Sequence, residues 1–262
     1  MMFDRLPARR AGTAEEPRGA ALISLAVRHA ALPLAAAIAV LTGCASPASH
    51  FYTLSPPDDA AHASASTRGA NPGWLIELAP VEVPPQVAKP QIVVQTGATQ
   101  VDVLEQQRWA SMPGDEIRRA LSVDLTQRLD TIDVYGSPHA EGVPVYRVSV
   151  NVQRFESWPG SHALIDAVWS VRSLASQSVM TCRSVLNEPV GDGYDALVAG
   201  HRRAVEALST AIASGVRSLA AQPQPMTQPE DAKAAGHQKP VSAIACPSAA
   251  PAAAAAPGAA AG

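Results

Sequence analysis

The side-chain types of a hydrolase occur close together at one point of the chain. Ser161 and His162 are adjacent, and Asp166 follows four residues later. A serine, a histidine and a carboxylate can act as nucleophile, base and the group that orients the base. Triad members meet in space rather than in sequence, however, and Ser161 follows Pro159-Gly160 at a strand entry without a nucleophile elbow. The pattern favours a structural role, and a hydrolase is kept only as an alternative.

A second kind of chemistry, lipid acylation, is indicated by Leu41-Thr42-Gly43-Cys44, which resembles a bacterial lipobox. It closes the apolar run 30–40, which follows the basic Arg28. The run is shorter than the roughly 20 apolar residues of a transmembrane helix, and the small residues before Cys44 suit cleavage by a peptidase. We therefore expect residues 1–43 to be a signal peptide. Acyl chains (palmitate) on Cys44 would then anchor the mature protein to a membrane, at ~0.8 kcal/mol per buried CH2.

The residues after Cys44 and the two other cysteines indicate the compartment in which the mature protein lies. Ala45 and Ser46 follow Cys44 without an aspartate, which by resemblance to lipoprotein sorting in Gram-negative bacteria favours the outer membrane, facing the periplasm. Cys182 and Cys246 would then lie in a compartment that permits disulfides. They either form a bridge from the tail to the domain or remain a buried thiol and a free tail thiol.

The sequence has no pattern for a metal, a cofactor or a nucleic acid. The seven histidines form no HExxH pair and there is no CxxC, so a zinc site has no support. The net charge of -3 provides no basic footprint for nucleic acid. His201 lies on an apolar helix stripe, where a core or interface histidine is expected rather than a ligand. We therefore expect no cofactor and no enzymatic activity.

Hydrophobic periodicity predicts the elements that position these residues. Alternating apolar residues predict strands at 74–83, 91–95, 101–104, 146–152, 165–171 and 179–186, with hairpin turns at 96–99 and near 175–177. One amphipathic helix is predicted from Pro113, and a second from Tyr194 to Leu219. Val150, Trp169 and Leu208 are expected to be buried together. This order indicates an α/β fold, with helices packed on a mixed sheet.

Composition divides the chain into four parts. Residues 1–43 are assigned to the signal peptide, 44–73 to a lipid-anchored N-terminal segment and linker, and 74–221 to a single folded domain. The Ala/Pro-rich residues 222–262 contain almost no large apolar side chains. Such a segment cannot bury enough surface to offset its conformational entropy, so we predict a disordered tail.

Several motifs occur in an order that resembles one family. After the lipobox come Phe51-Tyr52-Thr53-Leu54, the strand 75–84, Arg108-Trp109-Ala110 before a helix, the Val-Ser-Val-Asn-Val strand 148–152, and a closing helix after Gly193. The order is similar to that of the ABC-type transport auxiliary lipoproteins of the paraquat-inducible protein C (PqiC) type. The resemblance covers Cys44 to about Ala221, and the tail has no counterpart in it.

The resemblance implies a three-layer α/β sandwich related to the anticodon-binding-domain type. It also implies a non-catalytic adaptor in an MCE-type envelope phospholipid transport system that supports membrane integrity. Its partners would be an MCE-domain protein with its permease, and it could form a homo-oligomeric ring. The alternatives are an accessory lipoprotein of outer-membrane assembly and a lipid-anchored envelope hydrolase.

The same resemblance marks candidate partner contacts at Phe51, Tyr52, Arg108 and Trp109. Phe51-Tyr52 could equally begin a strand at a sheet edge, and Trp109 could belong to the core. Arg108 suits an interface better, because an arginine beside an aromatic residue is rarely wholly buried.

Overall fold

The computed structural model describes residues 47–55, 72–222 and 246–247, which form seven strands and two helices. The signal peptide, Cys44 and almost all of the predicted tail lie outside the described residues. The elements in chain order are β1 His50–Tyr52, β2 Leu75–Leu78, β3 Gln91–Gly97, β4 Gln100–Trp109, α1 Pro113–Leu129, β5 Val145–Trp158, β6 His162–Ser173, β7 Val179–Pro189 and α2 Tyr194–Ala220.

The strands are divided between two mixed sheets. The first has the order β1-β4-β3, with β1 parallel and β3 antiparallel to β4. The second has the order β2-β5-β6-β7, with β2 parallel to β5 and the other pairs antiparallel. The predicted α/β domain, with helices packed on mixed β-structure, is confirmed. Its division into two sheets was not anticipated, because a strand pattern does not identify the pairing partner.

The central hairpin of the larger sheet carries much of the core. Alternating residues of β5 are buried, and Val150 lies directly across from Trp169 of β6. Leu208 of α2 is fully buried in the same hydrophobic cluster, so the predicted common burial of these three residues is confirmed. Gly215 allows α2 to approach, since a Cβ atom there would lie 2.9 Å from the Trp169 ring. The second helix therefore packs directly on this hairpin.

The first helix begins and ends as local chemistry predicts. Pro113 occupies its first turn, where a missing N–H costs no hydrogen bond. It ends before Asp130, which has the left-handed conformation common at helix C-termini. The helix is amphipathic, as predicted, and its apolar face is buried at Ile117, Leu121, Leu125 and Leu129.

Three element boundaries differ from the predictions. The predicted strand at 74–83 ends at Leu78, and beyond it only Glu82 makes an isolated bridge, because the neighbouring prolines cannot donate to a ladder. The strand β4 continues past Leu104 to Trp109, since backbone pairing with β1 and β3 does not require apolar side chains. Residues 50–54, which were assigned to the N-terminal segment and linker, contain β1 and the buried Leu54.

Candidate functional site

The four residues marked as candidate partner contacts lie side by side on β1 and β4. The parallel register places Phe51 beside Arg108 and Tyr52 beside Trp109. Residues directly across a ladder share a face of the sheet, and successive residues alternate between faces. The first pair therefore faces one side of the ladder and the second pair faces the other.

The inner face of this ladder belongs to the core. Trp109 is only 3% exposed, and its ring meets the rings of Phe155 at 5.9 Å and His201 at 6.2 Å, edge to face. The hydroxyl of Tyr52 donates a hydrogen bond to the Gln107 side chain at 2.7 Å. Trp109 therefore occupies the core position that was considered as its alternative role.

The outer face carries one large exposed apolar side chain, Phe51. The Phe51 side chain is 67% exposed, whereas most large apolar side chains of the domain are buried. Beside it, the buried Nε of Arg108 has no hydrogen-bond partner within the described part of the chain. Aromatic residues and arginine are among the residue types enriched at the centres of protein interfaces, and here the accessible member of the pair is the Phe51 ring.

Glu116 fastens the segment after β1 to the start of α1. Its carboxylate accepts hydrogen bonds from the Thr53 hydroxyl at 2.7 Å, the Leu54 N–H at 2.9 Å and the Ser111 hydroxyl at 2.6 Å. Burial alone would raise the pKa of Glu116, but these hydrogen bonds outweigh it and lower the pKa below its usual value. The short strand β1 is thus held by side-chain hydrogen bonds as well as by backbone pairing.

Sequence reasoning did not mark Glu116 as a candidate and missed this role. A signal was available. Glu116 precedes Ile117 and lies one helical turn before Ala120, so it belongs to the buried stripe. A carboxylate on a buried stripe must find donors, because burying an unpaired charge is costly.

His201 is a core residue, as predicted. It is fully buried, stacks on Phe155 at 4.2 Å, and shares a hydrogen bond of 2.8 Å between its Nε2 and the Ser157 hydroxyl. Burial lowers the pKa of His201 to about 3. The ring is therefore neutral at ordinary pH and contributes packing to the cluster behind β4.

The Ser161, His162 and Asp166 side chains do not form a triad. The Ser161 hydroxyl lies 2.9 Å from Nδ1 of His162. Asp166 instead receives two hydrogen bonds from Arg183, at 2.8 and 2.6 Å, which lower the pKa of its carboxyl group. Four residues of strand place Asp166 about 13 Å from His162. The Asp166 carboxylate is thus paired with Arg183 and does not orient the His162 ring.

The remaining candidate residues are the cysteines. Cys182 of β7 and Cys246 are joined by a disulfide, with their Cα atoms 5.7 Å apart. Cys44 lies outside the described residues. Within the ranges that the structure covers, no group of three His, Cys, Asp or Glu side chains could hold a metal ion. No helix in those ranges is long and apolar enough to cross a membrane.

Fold and site together define a mixed α/β domain with a candidate contact surface, Phe51 and the half-buried Arg108, on the β1–β4 ladder. The family model of the ABC-type transport auxiliary lipoprotein component matches residues 52–213, and the chain belongs to this family. The match is consistent with the paraquat-inducible protein C type. The family description is that of an auxiliary component of a transport system, which suggests a non-catalytic role.

Solved structures with a similar fold include two proteins of low sequence identity. An uncharacterized protein is 20% identical, with a TM-score of 0.52 over 65% of this chain and 99% of its own. A Xanthomonas campestris protein of the DUF330 family is 17% identical, with a TM-score of 0.45 over 66% of this chain and 98% of its own. The first of these similarities supports the fold alone. A search of curated proteins found no match.

Proposed function

We propose that this chain is a non-catalytic adaptor lipoprotein of an MCE-type envelope lipid transport system. In this proposal, acyl chains on Cys44 anchor it in the outer membrane, and the domain faces the periplasm and contributes to membrane integrity. Membership of the auxiliary lipoprotein family supports a place in a transport system. The observation that carries the adaptor role is the exposed Phe51 beside Arg108 on a firmly held strand.

The contact surface is suited to binding because it is already ordered. β1 is paired with β4, and Glu116 holds the residues that follow it. A partner therefore does not have to supply the free energy that ordering a free segment would require. An aromatic side chain would fill an apolar pocket of the MCE protein, while the Arg108 donors would meet carboxylate or carbonyl oxygens. Homo-oligomerisation of the chain stays a prediction.

Binding to the MCE protein is tested with the domain purified from Ala45 onwards. We expect binding without nucleotide or metal, and we expect Phe51→Ala and Arg108→Glu each to raise the dissociation constant at least about tenfold, or 1.4 kcal/mol. Val185→Ala and Arg172→Glu are the controls, because Val185 is another exposed large apolar residue and Arg172 is an exposed arginine. Both controls should leave binding unchanged. Failure of the folded wild type to bind, or equal losses in the controls, would refute the adaptor role.

The anchor and the alternative functions need separate experiments. Labelled fatty acid should be incorporated by the wild type and not by Cys44→Ser, and equal labelling would remove the anchor. An MCE gene and a multi-spanning permease gene beside this one would support the transport assignment. Esterase turnover that is lost in Ser161→Ala would favour the hydrolase, and binding to an outer-membrane assembly component instead would favour that accessory role.

A further inference from the structure

We propose that the tip of the β3–β4 hairpin, residues 96–100, is a membrane-contact element that touches the lipid headgroups beside the anchor. This inference rests on the anchor of the proposed function and adds the surface that the domain turns toward the bilayer. It starts from the direction of β1. Because β1 is parallel to β4, its N-terminal end is directed toward Gln100, where β4 leaves the hairpin tip.

The chain still follows β4 just before β1 begins. His50 lies beside Gln107, and the hydroxyl of Ser49 donates a hydrogen bond to the Gln106 side chain at 2.9 Å. At Ser49 the chain therefore still lies alongside β4, with its N-terminal direction toward the hairpin tip.

The chain between Cys44 and His50 and the stretch of β4 between Gln100 and Gln107 have similar maximum lengths. Cys44 precedes His50 by six residues, and an extended chain spans at most ~3.6 Å per residue, so the anchor lies within about 22 Å of His50. In the same direction, β4 continues from Gln107 to Gln100, which at roughly 3.3 Å per residue is about 23 Å, and the turn adds a few ångströms. The hairpin therefore reaches at least as far along this line as an anchored chain can.

The composition of the hairpin suits contact with headgroups. Residues 90–101 contain no charged side chain, between Lys89 and Asp102. The exposed residues of the tip are small or neutral: Thr96, Ala98, Thr99 and Gln100. Hydroxyl and amide groups can exchange hydrogen bonds with water for hydrogen bonds with headgroups, and no charge has to be desolvated. The contact should therefore depend little on anionic lipid or on salt.

The test couples the mature chain, through Cys44, to a maleimide lipid in phosphatidylcholine vesicles. Because Cys182 and Cys246 are paired, Cys44 is the free thiol. Hydrogen–deuterium exchange of the wild type is compared between coupled and free protein. We expect amides 96–100 to exchange at least about threefold more slowly on vesicles, with or without added phosphatidylglycerol. The turn at Ala175-Ser176-Gln177, also a hairpin turn, shows any general effect of coupling.

A tryptophan reporter then locates the contact along β4. Ala98 and Ala110 are both exposed alanines, and they lie more than about 30 Å apart along the strand. With a headgroup-nitroxide lipid in the vesicles, Ala98→Trp should show at least about 30% quenching beyond that of the wild type, and Ala110→Trp should show none beyond it. Unchanged exchange at the tip, or equal quenching at both positions, would overturn the proposal. Quenching at Ala98→Trp without slower exchange in the wild type would also overturn it, since the tryptophan would then have created the contact.

Because the test couples Cys44 to lipid chemically, its outcome does not depend on whether cells acylate Cys44, and the two proposals can fail separately. Mass spectrometry of Cys44 from cells and binding of the MCE protein report on the anchor and the adaptor role. If Cys44 is acylated and the MCE protein binds but the tip does not touch the vesicles, the membrane-contact inference alone is wrong.

Discussion

The two faces of the β1–β4 ladder place aromatic side chains in opposite environments. Trp109 is 3% exposed and packs against a ring cluster, while Phe51 is 67% exposed although it belongs to the same ladder. The difference arises because successive residues of a strand point to opposite faces. The inner face packs into the core, and the outer face leaves Phe51 exposed beside the half-buried Arg108. The two aromatic side chains, Phe51 and Trp109, therefore differ in environment although their strands are paired.

The largest effect is expected on the inner face. Trp109→Ala removes the ring that meets Phe155 and His201, and Trp→Ala changes in a core typically cost about 3–5 kcal/mol. Urea unfolding followed by circular dichroism measures the free energy of unfolding. A loss below about 1 kcal/mol would show that the inner face does not support the core, and the comparison between the faces would fail.

The pH dependence of stability gives a second test of the inner face, through the buried His201. His201, with a folded pKa of about 3 and an ordinary value of 6.5, binds a proton in the unfolded state before it does in the folded state. The stability due to neutral His201 is therefore fully present above pH 6.5 and is lost as the pH falls toward 3, at up to about 1.4 kcal/mol per pH unit.

Urea unfolding at pH 7.5, 6 and 5 measures this slope. Above pH 5 the acidic groups Glu116 and Asp166, whose ordinary values are 4.5 and 3.8 and whose folded pKa values are lower, contribute little to it. His201→Gln keeps a neutral hydrogen-bonding side chain toward Ser157 and should reduce the slope, whatever its stability at pH 7.5. An equal slope in both proteins would contradict the assignment to His201.

An intermediate effect is expected where Glu116 holds the segment after β1. Glu116→Gln replaces a charged acceptor of three hydrogen bonds by a neutral amide, and we expect a loss of about 1–3 kcal/mol at pH 7. The depressed pKa means that this contribution is present above about pH 4.5 and is lost as the pH falls through the folded value. Hydrogen exchange should also accelerate at residues 50–54. Asp115→Asn, one residue earlier and exposed, is the control: it also removes a charge from the first turn of α1, but it should cost less than about 1 kcal/mol and leave exchange at residues 50–54 unchanged.

The smallest effect on stability is expected on the outer face. Phe51→Ala should change the free energy of unfolding by no more than about 0.5 kcal/mol, because most of its side chain is in contact with solvent. The same variant should bind the MCE protein more weakly, so a thermal melt and a binding titration together give the result. A large loss of stability would show that Phe51 supports the fold, and the two faces would then not differ as proposed.

Local patterns in the sequence were sufficient for the helices and the central strands. The stripe of α1 and the alternation in β5 and β6 are short-range features, and burial of one face explains them without knowledge of any partner element. For the same reason the core positions of Leu208 and His201 were predicted correctly. The lipobox is also a local pattern, and the acylation of Cys44 stays a prediction.

Only the tertiary structure decided which segments meet. The pairing of β1 with β4 joins residues 57 positions apart, and two of the three donors to Glu116 come from 62 and 63 positions away. Asp166 binds Arg183 rather than His162. Periodicity shows which side of a strand is buried, but every backbone offers the same N–H and C=O groups, so it does not show which strand will pair. The choice of partner depends on how distant apolar surfaces pack together, and that packing places Phe51 outside and Trp109 inside.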